Sequence, residues 1–195
     1  MSMSLNLVLI FGSVRSDRRG IRLVRFLESA FAARGQDVTT IDPVEYQLPL
    51  LDKMYKQYPA GSAPAPLEAL AGIYRQADAF VIVTGEYNHT MPPPLMNLLD
   101  HFLEEYFWRP SAIVCYSAGP FGGVRAGVQL RAPLCEMGMP SIPSMFPIAK
   151  VQETFAEDGT PADPVGIGRR FSRFASELEW YASALKKQRE AGVPY

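Results

Sequence analysis

Four short segments of this chain are apolar almost without interruption: 5–11 (LNLVLIF), 37–41 (DVTTI), 79–84 (AFVIVT) and 112–117 (AIVCYS). Runs rich in Val, Ile and Phe at both odd and even positions predict strands buried on both faces, as in a parallel sheet covered by helices on each side. Between them the period changes. Leu23, Leu27, Ala30 and Phe31 repeat at steps of three and four, as do Leu95, Leu98, Leu99, Phe102 and Leu103, and finally Phe171, Phe174, Leu178, Tyr181 and Leu185. Each set lays one apolar stripe along a helix. Pro92 to Pro94 suit a helix's first turn, where a missing amide hydrogen costs little. Pro133 is expected to bend a helix near the middle of GVQLRAPLCEMG (127–138). A fifth strand within 139–149 carries recurring prolines, which an edge strand tolerates.

Strand and helix alternating in this way predict one doubly wound α/β domain over 1–195, with right-handed crossovers and ligands held at the carboxyl ends of the strands near the switch point. The loops that leave strands at that edge are 12–20, 85–91 and 118–123. YPAGSAPAP (58–66) reads as a connection rather than a domain boundary, because the same alternation continues after it.

Composition then narrows the chemistry. Nineteen Lys and Arg against 20 Asp and Glu leave a net charge of -1, which argues against a nucleic-acid binder and against a polybasic membrane-surface protein. An anion site must therefore be local. Cys115 and Cys135 have no His or Cys at metal-ligand spacing, so no metal is expected and both read as buried thiols in a reducing compartment. The apolar run at 5–11 is too short for a membrane span or a signal peptide, and the expected location is the cytoplasm.

The first loop carries the most distinctive chemistry. In GSVRSDRRG (12–20) a strand-to-helix turn presents free backbone amides and the positive end of a helix dipole. Gly12 allows the turn, Ser13 adds a hydroxyl, and Arg15, Arg18 and Arg19 add guanidinium forks suited to phosphate oxygens. No Gly-Lys-Ser/Thr follows at Walker spacing and no G-x-G-x-x-G is present, so a terminal monophosphate remains the simple reading. The bland alternative is a solvated basic face ahead of a helix. In the second loop Glu86, Tyr87, Asn88 and His89 form a polar and aromatic cluster that can lie along a flat heterocycle. The third, SAGPFGGVRAG (117–127), is glycine-rich and lets backbone approach a ligand closely.

In these three segments, in this order, the chain resembles the NADPH-dependent FMN reductases of the flavodoxin-like group. The likeness covers roughly residues 5–150. It implies a five-stranded sheet of order 2-1-3-4-5 and bound FMN. Ser13, Arg15, Arg18, Arg19, Gly20 and Ile21 would hold the phosphate. Glu86, Tyr87, Asn88 and His89 would flank the isoalloxazine, and Ser117, Gly119, Gly122 and Gly123 would approach its pyrimidine side. NADPH or NADH would supply a hydride and a quinone, azo dye, metal ion or free flavin would take the electrons, in a homodimer or homotetramer. Gly85 and Met96 depart from the proline and lysine usual in that family's second motif.

Other residues leave alternatives open. His89 is a candidate proton donor to a quinone or a loop histidine bonded locally. His101 reads as a helix-surface or interface residue. Glu104 and Glu105 point apart and form no carboxylate pair. EYFWRP (105–110) is expected near the second loop, as a subunit interface, an acceptor platform or core. The segment 151–164 is a flexible connection or a lid, and Arg125 is one candidate for a 2′-phosphate. A flavodoxin-type carrier without pyridine-nucleotide activity is the main rival. A phosphatase would want a nucleophilic Cys in the anion loop, and none is there.

Overall fold

The computed structural model describes residues 4–195. The strands are β1 (Asn6–Phe11), β2 (Asp37–Ile41), β3 (Ala79–Gly85), β4 (Ser111–Tyr116) and β5 (Ser141–Ile148). The helices are α1 (Ile21–Ala32), α2 (Pro43–Tyr46), α3 (Ala65–Gln76), α4 (Pro93–Asp100), α5 (Val124–Glu136), α6 (Val151–Thr154) and α7 (Pro164–Ala191). All five strands are parallel in the order β2-β1-β3-β4-β5. β1, β3 and β4 form the apolar centre. Successive side chains on a strand point to opposite faces, so one face of β1 gives Leu7, Leu9 and Phe11 to α1 and α7, and the other gives Val8 and Ile10 to α3 and α4.

The proline-bearing β5 is an edge strand, as expected, and its register against β4 shifts between Ser111 and Ile113. The amino edge of the sheet is held by charge. Asp78 is buried, accepts from the Asn6 amide, and pairs with Lys186 at 2.8 Å and Arg189 at 3.1 Å near the end of α7. Arg34 grips Glu179 of the same helix through Nε and Nη2, at 2.7 and 2.6 Å.

Several expectations are corrected here. α4 stops at Asp100, because the chain turns inward: Phe102 is core outside any helix, and His101 is buried with its Nδ1 2.6 Å from the Asn97 carbonyl. His101 is thus not a surface residue. The run 105–110 lies at the amino ends of β3 and β4, opposite the predicted site, since the Pro110 carbonyl accepts from Phe80 N and Arg109 donates to the Arg75 and Ala77 carbonyls. Tyr106 within it is core, and the run lies away from the second loop. Pro133 sits in the last turn of α5 rather than near its middle.

The segment 151–164 is neither a free connection nor a separate flap. Phe155 is buried in the core, and Arg22 of α1 donates to the carbonyls of Gln152 and Phe155, both at 3.2 Å. Arg25 adds a bond to the Glu157 carbonyl. Cys115 is buried and Cys135 is exposed, against the expectation of two buried thiols. Burial, reinforced by the Glu86 charge, pushes the Cys115 thiol up to about 12. A thiolate is the reactive form, so an aromatic disulfide reagent at pH 8 should titrate Cys135 rapidly in the native protein and Cys115 only after denaturation. Rapid labelling of both would contradict the burial of Cys115.

Candidate functional site

The first loop is built to lack partners. After Gly12, whose amide donates to the Val83 carbonyl at 3.0 Å, the eight amides of residues 13–20 find no acceptor among the described residues; bonding resumes at Ile21, which donates to Arg18 O. Unpaired backbone donors carry a free-energy cost unless water or a ligand accepts from them. Eight in succession at a helix entrance therefore make a ready anion cradle. Ser13 is buried at its floor.

The three arginines of this loop have separate fates. Arg15 is exposed and makes no hydrogen bond or ion pair to a described residue. Arg19 is paired loosely with Asp17 at 3.3 Å, both well exposed. Arg18 is committed: its guanidinium binds Asp42, donates to the Ser13 carbonyl at 3.4 Å and lies 5.6 Å from the Phe11 ring centroid. Asp42 in turn caps α2 by accepting from Val44 N at 3.0 Å. Arg18 thus ties the loop to the end of β2, while Arg15 keeps its cation free of partners among the described residues and Arg19 shares its own with the exposed Asp17.

A cleft of about 270 Å³ runs from this loop along the carboxyl edge. Ser13, Arg15, Asp17, Arg18, Arg19 and Gly20 line it on one side, and Glu86, Tyr87 and Ser117 on the other, together with Gly85, Tyr116, Ala118 and Val151. Ile21 lines an adjoining, more open cleft with Arg22 and Arg25. Asn88, His89, Gly119, Gly122 and Gly123 stand outside the lining, in the loops that frame it.

Glu86 joins the second loop to the third. Its carboxylate accepts from Arg125 N at 3.1 Å and Ala126 N at 3.5 Å, so it covers the amino end of α5, and it pairs with the Arg125 side chain at 3.5 Å. Arg125 also lies 4.5 Å over the Phe121 ring, which accounts for its charge. Beyond Glu86 the chain turns tightly. Asn88 and His89 both have positive φ, 50° and 66°, between reciprocal bonds joining Tyr87 and Thr90 at 2.8 and 2.9 Å. That is the geometry of a two-residue hairpin turn, which suits Asn far better than His. The His89 carbonyl accepts from Gln129 at 3.0 Å, fixing the turn to α5.

The third loop needs its glycines. Gly122 and Gly123 have φ of 65° and 72°, and a Cβ on Gly123 would stand 2.6 Å from the Tyr116 carbonyl oxygen. Ser117 donates to the Gly119 carbonyl at 2.9 Å. Two site residues escaped the sequence reading. Asp42 could have been found as an acid at the end of the strand beside β1; Tyr116 reads in sequence as one more core aromatic. Among the described residues no group of three His, Cys, Asp or Glu side chains could hold a metal, and no helix is long and apolar enough to cross a membrane.

A parallel 2-1-3-4-5 sheet with an amide-rich loop after β1 and two framing loops after β3 and β4 defines a flavodoxin-like domain with a candidate anion site at its switch point. The sequence pattern of the NADPH-dependent FMN reductase family matches residues 5–153, and the chain belongs to that family of oxidoreductases. It is 33% identical over 135 residues to a quinone reductase of Escherichia coli, spanning 67% of this chain and 70% of the relative. An NADPH azoreductase of a Bacillus species is 26% identical over 194 residues, 97% and 99% of the two chains. Among solved structures, the flavoenzyme NAD(P)H:(acceptor) oxidoreductase of Paracoccus denitrificans superposes with a TM-score of 0.75 over 92% of this chain and 98% of its own, at 19% identity. A flavodoxin of Pseudomonas aeruginosa shares the fold at a TM-score of 0.52 and 18% identity, over 93% of this chain and 99% of its own.

Proposed function

We propose that the chain is an FMN-dependent NAD(P)H oxidoreductase acting on small-molecule acceptors such as quinones or azo dyes, as a cytoplasmic homodimer or homotetramer formed of single domains. The observation that carries this reading is the run of eight unpaired amides at residues 13–20, opening onto a cleft framed by the loops after β3 and β4. A phosphate monoester satisfies such a cradle, and Arg15 and Arg19 add charge at its rim. When bound, the flavin supplies the redox chemistry, accepting a hydride from a nicotinamide and passing two electrons onward.

The chain's own residues bind and orient. Glu86 locks the second loop to α5, so the two loops that would flank a planar ring move as one unit. Asn88 and His89 close the turn that sets the position of Tyr87, and Gly119, Gly122 and Gly123 leave backbone bare for close approach. The near-neutral charge of -1 favours a reductase over an electron carrier of the flavodoxin type, which ordinarily presents a strongly acidic surface.

The test is reconstitution with FMN, removal of the excess, and anaerobic addition of NADPH followed by a quinone. The expected result is a bound flavin spectrum that bleaches with NADPH and recovers with the quinone. Bound flavin that stays oxidised would leave an electron carrier, and a colourless protein would overturn the flavin reading altogether.

A further inference from the structure

Tyr116, the last residue of β4, is only 8% exposed, yet it lines the cleft beside the anion loop. The hydroxyl end of its ring occupies the space in front of Gly20: a Cβ there would fall 2.2 Å from Cζ and 2.3 Å from the hydroxyl oxygen. The φ of Gly20 is -60°, which any residue adopts, so it is the tyrosine rather than the backbone that requires glycine at this position. Gly85 is its second neighbour, with a Cβ position 3.2 Å from the same hydroxyl. The end of the first loop and the start of the second thus meet at this phenol, itself the last residue before the third.

The hydroxyl opens onto the cleft, with the Ser13 side chain as its polar protein neighbour. No backbone carbonyl among the described residues accepts from it, whereas the core phenol of Tyr106 donates to the Leu99 carbonyl at 3.2 Å. A phenylalanine would fill the same space, so a tyrosine at this wall adds one polar atom that faces whatever occupies the cleft. Its surroundings favour an anion: the Ser13 side chain is adjacent, and Arg15 and Arg18 lie within electrostatic reach. Burial raises its pKa most, the Tyr87 phenol adds to that, and Ser13 and the two arginines act the other way. A phenol is protonated at neutral pH in any case, so the Tyr116 hydroxyl is a donor there.

We propose that the Tyr116 hydroxyl is a phosphate ligand at the floor of the cleft, donating to the anion held by the amides of 13–20. The assignment rests on the FMN reading above and names an atom outside the anion loop that would distinguish phosphorylated from unphosphorylated flavin.

The test compares FMN and riboflavin binding to the full-length wild type and Tyr116→Phe by quenching of flavin fluorescence, with thermal melts of both proteins. Loss of one hydrogen bond to a charged acceptor should raise the FMN Kd about tenfold or more, leave the riboflavin Kd unchanged, and leave the melting temperature within the range of a surface substitution. An unchanged FMN Kd in the variant, with tight wild-type binding, overturns the assignment and leaves the flavin reading standing. Equal losses for FMN and riboflavin would show that the ring shapes the cleft, and would also overturn it. A wild type that binds neither flavin overturns the reading on which it rests.

Discussion

Replacing Asp78 by alanine should lower the melting temperature by roughly 6–12 °C while leaving flavin affinity, measured well below that transition, unchanged. Asp78 stands just before β3 at the amino edge of the sheet, where it is the shared carboxylate of Lys186 and Arg189 and the acceptor for the Asn6 amide. Burial lowers the pKa of Arg189, and Asp78 is the strongest influence opposing it. Without the carboxylate, Lys186 and the Asn6 amide lose their partner, and Arg189 keeps only the Trp108 carbonyl among the described residues, at 3.0 Å. Breaking a buried pair from one side costs about 3–5 kcal/mol. The lower end applies, because the Lys186 and Arg189 side chains keep 22% and 15% of their exposure. For a chain of this length each kcal/mol moves the midpoint by about 2–4 °C. The Asp78→Asn variant retains an acceptor for Asn6 and should fall between. A calorimetric shift of less than a few degrees for Asp78→Ala would mean that α7 is held by its apolar stripe and the Arg34–Glu179 pair, with no net contribution from Asp78.

That division between a stapled amino edge and a functional carboxyl edge explains what could be read from the sequence. β1, β3 and β4 announce themselves because both of their faces are covered. β5 was readable despite Pro140, Pro143 and Pro147 because an edge strand can leave some backbone donors unpaired. The three loops were readable because the doubly wound rule places strand ends together, and residues such as Ser13, Gly20 and Ser117 do meet there. What stayed hidden depends on pairings between distant segments. Arg18 looks like a free phosphate fork until Asp42, 24 positions away, is seen beside it. Phe102 and Leu103 continue the apolar pattern of α4, so no periodicity marks the point where the chain leaves the helix and turns inward. The run 105–110 precedes β4, which places it at the wrong end of the sheet to serve the second loop. Tyr116 was concealed by its residue type: a strand-ending aromatic looks like core, and only its contact with Gly20 and Gly85 sets it apart.

The glycines of the third loop permit the sharpest separation of fold from site. Alanine at Gly61, Gly122 or Gly123 would meet nearly the same backbone φ, 72°, 65° and 72°, and so nearly the same left-handed penalty of roughly 1–2 kcal/mol. The surroundings differ. Gly61 faces open space, Gly122 would place its Cβ 3.3 Å from Ala149 N, and Gly123 would drive its Cβ to 2.6 and 2.8 Å from the carbonyl oxygen and amide nitrogen of Tyr116. Backbone of a central strand cannot swing aside as a side chain can, so in Gly123→Ala the loop itself must move. The expected order of lost stability is Gly61→Ala below Gly122→Ala below Gly123→Ala. FMN affinity should be unaffected in the first, reduced in the second and lowered more than about tenfold in the third, since displacement of this loop removes close backbone approach to a ligand. Denaturant melts paired with flavin titration of the three variants read both quantities. If Gly123→Ala loses stability in that order but binds FMN as the wild type does, the third loop is a structural corner of the fold, and the flavin must be held by the first two loops alone.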